Sequence, residues 1–374
     1  MRAVGLVPKT GKLEVIDVAQ PAIQQPDQVL LQMLEVGVCG TDREIARGEL
    51  GAAPHDHEHL IIGHESLARV AAVGSQVRDV REGDLVVATV RRGCGRCPSC
   101  LHGAVDFCTT GEYIEHGIKR LNGFMTEYVV DQAQFLIPLP AELRAIGVLL
   151  EPLTVGEKAI EQALRILRRL PFPPGQLDRD HSAADWGVGL RALVAGSGPI
   201  SMLGAMILRA HGAEVTVIDR SDDDNLTTKL IHKIGAKHLN GANIATEGLD
   251  DQLGQVDLIF EATGAAGFSF NLIDALGVNG VYVFTGIPGG DKTETVPAAS
   301  LMRQLVLNNQ AIFGSVNASQ QNFVQGVADL GRFRTLWGDA VDSLITGRVA
   351  LEQFMDAIQP PVKGGIKSIV EIAA

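Results

Sequence analysis

Cys94, Cys97 and Cys100 form two overlapping C-x-x-C steps, and Cys108 follows after a short loop. Four thiolates so close together can surround one tetrahedral zinc ion with no coordination position left open, the pattern of a structural site. Two further metal donors lie upstream. Cys39 stands at the end of an apolar run, and His64 stands in Gly63-His64-Glu65. A lone cysteine is ordinarily a small buried apolar residue. His55 and His57, in Pro54-His55-Asp56-His57-Glu58-His59, read as part of a solvated loop.

The stretch from Arg191 to Asp219 carries a second kind of chemistry. Ala192 to Ala195 is a short buried strand, Gly196-Ser197-Gly198-Pro199 a tight turn, and Ile200 to His211 a helix stopped by Gly212. Glu214 to Ile218 is a second strand, ending in Asp219. Gly196 permits the turn, Gly198 lets backbone approach a pyrophosphate, and the helix N-terminus, which opens with Pro199 and continues through Ile200, offers the free N–H groups of its first turn after the proline. Asp219 is placed to accept hydrogen bonds from an adenosine ribose. The third glycine of G-x-G-x-x-G is replaced by Ser201, with Gly204 one turn on.

The elements that must position these residues fall into two classes. Residues 1–90 read as β-rich: strands at Val29 to Val36, Leu67 to Val73 and Asp84 to Val90, joined by glycine turns, suggest a partly closed barrel. Residues 154–170 read as an amphipathic helix linking the halves, and Pro171 to Gly189, with Asp178-Arg179-Asp180, as a surface connection. Further on, a strand and turn at Val256 to Gly264 and a strand at Gly280 to Gly286 alternate with helices, as in a doubly wound parallel sheet. Phe323 to Leu330 and Ala340 to Ile345 read as helices. The expected fold is α/β. Residues 1–187 form a catalytic domain with a zinc lobe, 188–311 a dinucleotide-binding Rossmann domain, and 312–374 return to the first.

A chain of 374 residues, 46% hydrophobic and 20% charged, is long enough for two domains with sizeable cores. A net charge of -12 argues against nucleic acid as a partner. The first residues read as strands rather than a signal peptide, and no run of about 20 apolar residues offers a membrane span. A cytoplasmic protein is expected, its bunched cysteines serving metal rather than disulfides.

Cys39, His64, the four-cysteine lobe and the nucleotide unit occur together and in this order. With Gly37-Val38-Cys39-Gly40-Thr41-Asp42 and Glu151-Pro152-Leu153, the sequence resembles the zinc-dependent medium-chain alcohol dehydrogenase family over nearly the whole chain. Within it, Gly111 to Ile118, Asn122 to Glu127 and Gly314-Ser315-Val316-Asn317 are most similar to the archaeal-type glucose dehydrogenase branch.

The resemblance implies a Rossmann domain beside a GroES-like catalytic domain. It implies a catalytic zinc held by Cys39, His64 and a carboxylate, for which Glu65 and Glu151 both match, with one position open for a substrate oxygen. There an alcohol would lose its proton more easily and yield hydride to a nicotinamide. Thr41 matches the family's relay hydroxyl, and Thr263-Gly264 the turn beside the cofactor. Glu115, Glu151 and Asn317 match positions around metal and sugar, while Leu307 stands where a relative carries a histidine. The implied activity is oxidation of a D-glucose-like aldose at C1 to the lactone with NAD or NADP, by a homodimer or homotetramer. An alcohol or polyol dehydrogenase on the same scaffold is the alternative. A non-enzymatic binding or lens-type protein would have lost metal ligands or nucleotide site, and a quinone reductase would lack zinc. Asp219, Asp222, Asp223 and Asp224 disfavour a 2′-phosphate whereas Arg220 favours one, so NAD is expected to be preferred or both accepted.

Overall fold

Strand Gln28–Val38 is flanked on one side by Glu65–Val73 and on the other by Lys367–Glu371, both antiparallel to it. The sheet continues outward to Leu85–Ala88 and Leu136–Leu139 on one side and to Ile345–Ala350 on the other, while Tyr128–Gln132 also pairs with Gln28–Val38. The central strand alternates in burial at first and is then continuously buried to Val38, so its second half is covered on both faces. Val29, Leu31, Met33, Val36 and Val38 pack with Val4, Leu6, Phe124 and Met125 in one apolar core. Register places Gly37 opposite both Glu65 and Ile369. Three strand ends, carrying Cys39, Glu65 and Lys367, are thereby gathered at one edge.

The computed structural model describes residues 1–7, 11–55, 57–174, 185–222, 224–242, 249–290, 293–359 and 364–373. Contacts divide the chain into Met1–Glu151, Asn317–Gly331 and Asp342–Ala374 in a first unit, and Pro152–Val316 and Arg332–Val341 in a second. These breaks differ from the 187/188 and 311/312 boundaries read from the sequence. The linking helix is the main reason: Gly156 lies against Ile207 and the backbone of Gly204, so most of that helix belongs with the second unit. Similarly, Arg332 Nε donates to Ala210 O at 2.8 Å.

The second unit holds six strands in parallel pairing. Their spatial order is Lys237–Asn240, Glu214–Asp219, Arg191–Ala195, Leu258–Glu261, Val281–Phe284 and Ala311–Gly314. The order reverses between Arg191–Ala195 and Leu258–Glu261, which makes their carboxyl ends the switch point of a doubly wound sheet. Leu193, Ala195, Ile259 and Tyr282 form its buried interior.

Two helix boundaries differ from the sequence reading. The linking helix spans Leu150–Leu167 rather than 154–170, with Glu151 and then Pro152 in its first turn. An acid and a proline both suit that position. Ala340 to Ile345 is not a helix: short 3₁₀ turns lead into strand Ile345–Ala350, which pairs with Lys367–Glu371. Pairing with a buried strand overrides local propensity there. Asp178, Arg179, Asp180 and Asp223 lie outside the described residues.

Backbone crowding surrounds the segment that leads into His64. A Cβ added at Gly123 would collide with the carbonyl oxygens of Gly63 and Ile62 and with the Cα of Gly117. These atoms are backbone, so no side chain can rotate away. Gly123→Ala is expected to destabilise the fold by about 2 kcal/mol, measured as a lowered denaturation midpoint. An unchanged midpoint would refute this reading of the contact.

Candidate catalytic and dinucleotide sites

Cys39 is the N-cap of helix Gly40–Ala46. Its Sγ accepts from Thr41 N–H at 3.3 Å, and Asp42 Oδ2 accepts from Cys39 N–H at 2.9 Å. The local sequence thus forms a capping box with a sulfur in place of the usual oxygen. Cys39 Sγ and His64 Nε2 lie 3.1 Å apart, and the other ring nitrogen, Nδ1, lies 3.5 Å from Asp42 Oδ1. Glu65 completes a set of three donor atoms, all within 4.8 Å of one another. His64 and Glu65 are buried and Cys39 is half-buried.

The charges around this set favour a cation. Burial alone would lower the His64 pKa, but Cys39, Asp42 and Glu151 outweigh it and hold the imidazole well above its ordinary value. Glu151 is pushed up to about 7, first by burial; His64 and Lys367 pull down against the repulsion of Glu65 and Asp42. His64 Nδ1 and Asp42 Oδ1 are buried without a hydrogen-bond partner. A thiolate, an imidazole and carboxylates converging in such a field fit a zinc ion, which would displace the proton from His64.

Sequence reasoning missed Lys367. Its Nζ forms an ion pair with Glu65 Oε2, and both side chains are fully buried. Gly37 makes room, since a Cβ there would strike Glu65 Oε2 and Lys367 Cε. The available signal was a lysine opening a strand whose buried positions are otherwise the apolar Ile369 and Val370.

The four cysteines of the lobe also converge, their sulfur atoms lying within 4.8 Å. Cys97 caps the short helix Pro98–Leu101. Cys97 N–H donates to Cys94 Sγ at 3.4 Å and Cys100 N–H to Cys97 Sγ at 3.5 Å. The backbone bond from Cys100 lowers the Cys97 thiol to about 7, and the Thr110 hydroxyl lowers Cys108 to about 5, while burial raises Cys100 to about 12. Ionised thiols are what a tetrahedral zinc requires. His55 and His57 join neither donor group among the described residues.

Glu115 and Asn317 are brought together although 202 residues apart: Asn317 Nδ2 donates to Glu115 Oε1 at 2.9 Å. Asn317 has a left-handed backbone, φ 60°, a conformation asparagine tolerates better than most residues. The carboxylate also accepts from Arg91 Nε at 2.9 Å.

In the second unit, Gly196 has φ 101°. A Cβ on it would lie 2.7 Å from Ser201 Oγ and 3.0 Å from Thr263 Cγ2. Ser201 Oγ donates to Ala195 O at 3.2 Å, so the serine ties helix to strand where a glycine was expected. Close helix–sheet packing passes to Gly204, where a Cβ would come 2.7 Å from the Phe260 ring. Helix Pro199–Ala210 has Gly198 as N-cap, with no side chain bonded to its first N–H groups. Those groups, beside Ser197 and Ile200, suit a pyrophosphate.

Asp219 is buried at the end of its strand. His238 Nε2 lies 2.8 Å from its Oδ1, while Ser221 donates its N–H to Oδ1 at 3.0 Å and its hydroxyl to Oδ2 at 2.5 Å. Burial would raise its pKa, yet hydrogen bonds from Ser197, Ser221 and His238 bring it below the usual range. Arg220, Asp222 and Asp224 are exposed. Glu261 Oε1 holds the next turn by accepting from Thr263 N–H at 2.6 Å and Gly264 N–H at 3.2 Å. Leu307 ends helix Ala298–Leu307 and is exposed.

Residues 25–141 match the alcohol dehydrogenase GroES-like domain, and residues 144–372 match the glucose dehydrogenase C-terminus. The chain belongs to the glucose 1-dehydrogenase branch of the zinc-dependent medium-chain dehydrogenases. A glucose 1-dehydrogenase of Methanocella arvoryzae is 38% identical over 376 residues, covering 100% of both chains. That of Thermoproteus tenax is 38% identical, covering 96% of this chain and 95% of its own. Among solved structures, Haloferax mediterranei glucose dehydrogenase in complex with NADP, Zn and gluconolactone has a TM-score of 0.86 and 28% identity, covering 100% of both chains.

The two donor sets of this glucose 1-dehydrogenase homologue are expected to separate by mutation. Cys39→Ala should abolish turnover and remove zinc from one site while a cooperative melt persists. Cys97→Ser should lower the melting temperature by roughly 10 °C, because structural zinc contributes directly to folding. Zinc analysis and thermal melts check both. Substantial activity in Cys39→Ala would remove Cys39 from the catalytic ligand set.

Proposed function

We propose that this chain oxidises D-glucose or a related aldose at C1 to the lactone and passes the hydride to NAD or NADP. The observation that carries the substrate class is the Glu115–Asn317 pair, joined at 2.9 Å around the buried carboxylate of Glu115. A carboxylate and an amide side by side can bridge neighbouring hydroxyls, and a site built on such groups discriminates strongly against analogues lacking them. The Haloferax relative with gluconolactone supports the same class.

Cys39 and His64, with Glu65 or Glu151, would hold zinc, which when bound polarises a substrate hydroxyl and acidifies it. Asp42 orients both protein ligands, through Cys39 N–H and through His64 Nδ1. Lys367 balances Glu65 and so selects which carboxylate is drawn toward the ligand set. Thr41, half-buried in the first turn after Cys39, would carry the released proton onward. In the nucleotide unit, Gly196 to Ile200 would receive the pyrophosphate and Asp219 the ribose, with Arg220 against the adenine and Thr263-Gly264 beside the nicotinamide half. The first unit is then the catalytic domain and the second the dinucleotide-binding domain.

The oligomer is proposed to be a homodimer or homotetramer. Met302, Val306 and Leu307 are all largely exposed on helix Ala298–Leu307, where no residue is buried, and such apolar patches mark association surfaces. Cysteines serving metal rather than disulfides support a reducing, cytoplasmic setting.

Glucose-type aldoses are expected to be turned over better than simple alcohols, with Glu115→Ala reducing kcat/KM for glucose by about a hundredfold, or roughly 3 kcal/mol. Steady-state kinetics over a panel of aldoses, polyols and alcohols decides. Ethanol or a polyol outperforming every aldose would sink the assignment in favour of an alcohol or polyol dehydrogenase.

NAD is expected to be used at least as well as NADP, because Asp219 is ionised and held in place. Asp219→Ser should shift the kcat/KM ratio toward NADP by about tenfold, or about 1.4 kcal/mol. A wild-type preference for NADP greater than that would contradict the role given to Asp219.

A further inference from the structure

Arg91 is 7% exposed and lies in the short strand Arg91–Arg92, where it is the cross-strand partner of Glu115. Its guanidinium reaches three things. Nε donates to Glu115 Oε1 at 2.9 Å, Nη1 donates to Asp106 O at 3.1 Å, and the guanidinium carbon sits 3.8 Å from the Tyr113 ring centroid. Asp106 belongs to the turn Val105–Phe107 between the third and fourth cysteines of the lobe. The lobe is pressed onto the residue that follows this strand, for a Cβ at Gly93 would come 2.7 Å from Cys100 Sγ.

Glu115 Oε1 accepts from both Arg91 and Asn317, whereas Oε2 accepts from neither. Asn317 is itself held, since its Oδ1 accepts from Ala318 N–H at 2.7 Å. A buried carboxylate needs a compensating cation. A guanidinium can do this while bonding a second acceptor in a rigid fork, which an ammonium cannot reproduce.

We propose that Arg91 is a positioning residue for sugar recognition. By clamping Glu115 Oε1 and the Asp106 carbonyl in one guanidinium, it leaves Oε2 to meet a sugar hydroxyl and ties the aim of that carboxylate to the folded four-cysteine lobe. The lobe thereby contributes to substrate affinity as well as to stability. Pre-setting a polar group in its bound orientation raises affinity by lowering the ordering cost of binding. The inference rests on the assignment of Glu115 to the sugar.

A double-mutant cycle on the zinc-loaded enzyme tests it, with Arg91→Met, Glu115→Gln and the two combined. Calorimetric binding of D-gluconolactone, the glucose KM and kcat, and the Kd for NAD are read for each. Arg91→Met should weaken lactone binding and raise the glucose KM by about tenfold, with a smaller change in kcat and an unchanged NAD Kd. In the Glu115→Gln background the same change should weaken sugar binding by less than about twofold, because residues acting through one group are not additive. Arg91→Lys should fall between wild type and Arg91→Met, and it decides by the same criteria if Arg91→Met fails to fold or to hold zinc. Sugar affinity within about twofold of wild type in the Arg91 variant, or losses that multiply in the double variant, would overturn the proposal. If Glu115→Gln itself leaves sugar affinity unchanged, the assignment of Glu115 falls, and this inference with it. If Glu115→Gln weakens binding while the Arg91 variant does not, the inference alone fails.

Discussion

An ammonium and a carboxylate buried together behind a glycine set the terms for the first unit. Lys367 and Glu65 are both fully buried, and either one left alone there would destabilise the fold by about 3–5 kcal/mol. Their meeting requires the strand ends that carry them to lie on either side of Gly37, so the register of the central sheet is bound to the ion pair. The same register brings Cys39 up to His64. One constraint therefore serves both fold and site, and the lysine can hold Glu65 while a metal ion draws on the remaining donors.

Other charges of this unit are buried in partnership as well. Arg92 bonds Asp131 Oδ2 and Thr89 O, and it lies 3.1 Å from His116 Nε2. Arg144 and Arg348 share Glu35 Oε1. Asp131 is held below the ordinary carboxylate range: burial opposes this, and His116 and Arg92 overcome it. Such groups add less to stability than apolar packing would, but they have few satisfactory arrangements, and rigid placement of polar groups is what a sugar site needs.

The second unit depends on close approach rather than charge. Gly196 and Gly204 bring a helix and a sheet within van der Waals contact, and Ser201 bridges them with a hydroxyl. A serine can stand at that position because its hydroxyl finds the Ala195 carbonyl. Asp219 is held differently, by three neighbouring donors that favour its ionised form.

Much of this was legible in the sequence because the signals were local. The C-x-x-C steps, the glycine turn followed by a helix and the acid ending the next strand each lie within a few residues, where spacing and backbone geometry determine the outcome. The resemblance carried by Cys39, His64 and Glu151 implied the catalytic ligand set that is proposed. Tertiary structure decided what depends on distant partners. Lys367 becomes the counterion of Glu65 only because two strands far apart in sequence flank Gly37. Arg91 meets Glu115 through the pairing of two short strands, and Asn317, from the far end of the chain, meets the same oxygen. Residues Ala340 to Leu344 form short 3₁₀ turns in place of the expected helix, because the chain then enters strand Ile345–Ala350, which pairs with Lys367–Glu371. Local periodicity reports which face of an element is apolar. It carries no information about which charge will lie against which, because burying an ion depends on the partner and not on the neighbours in sequence.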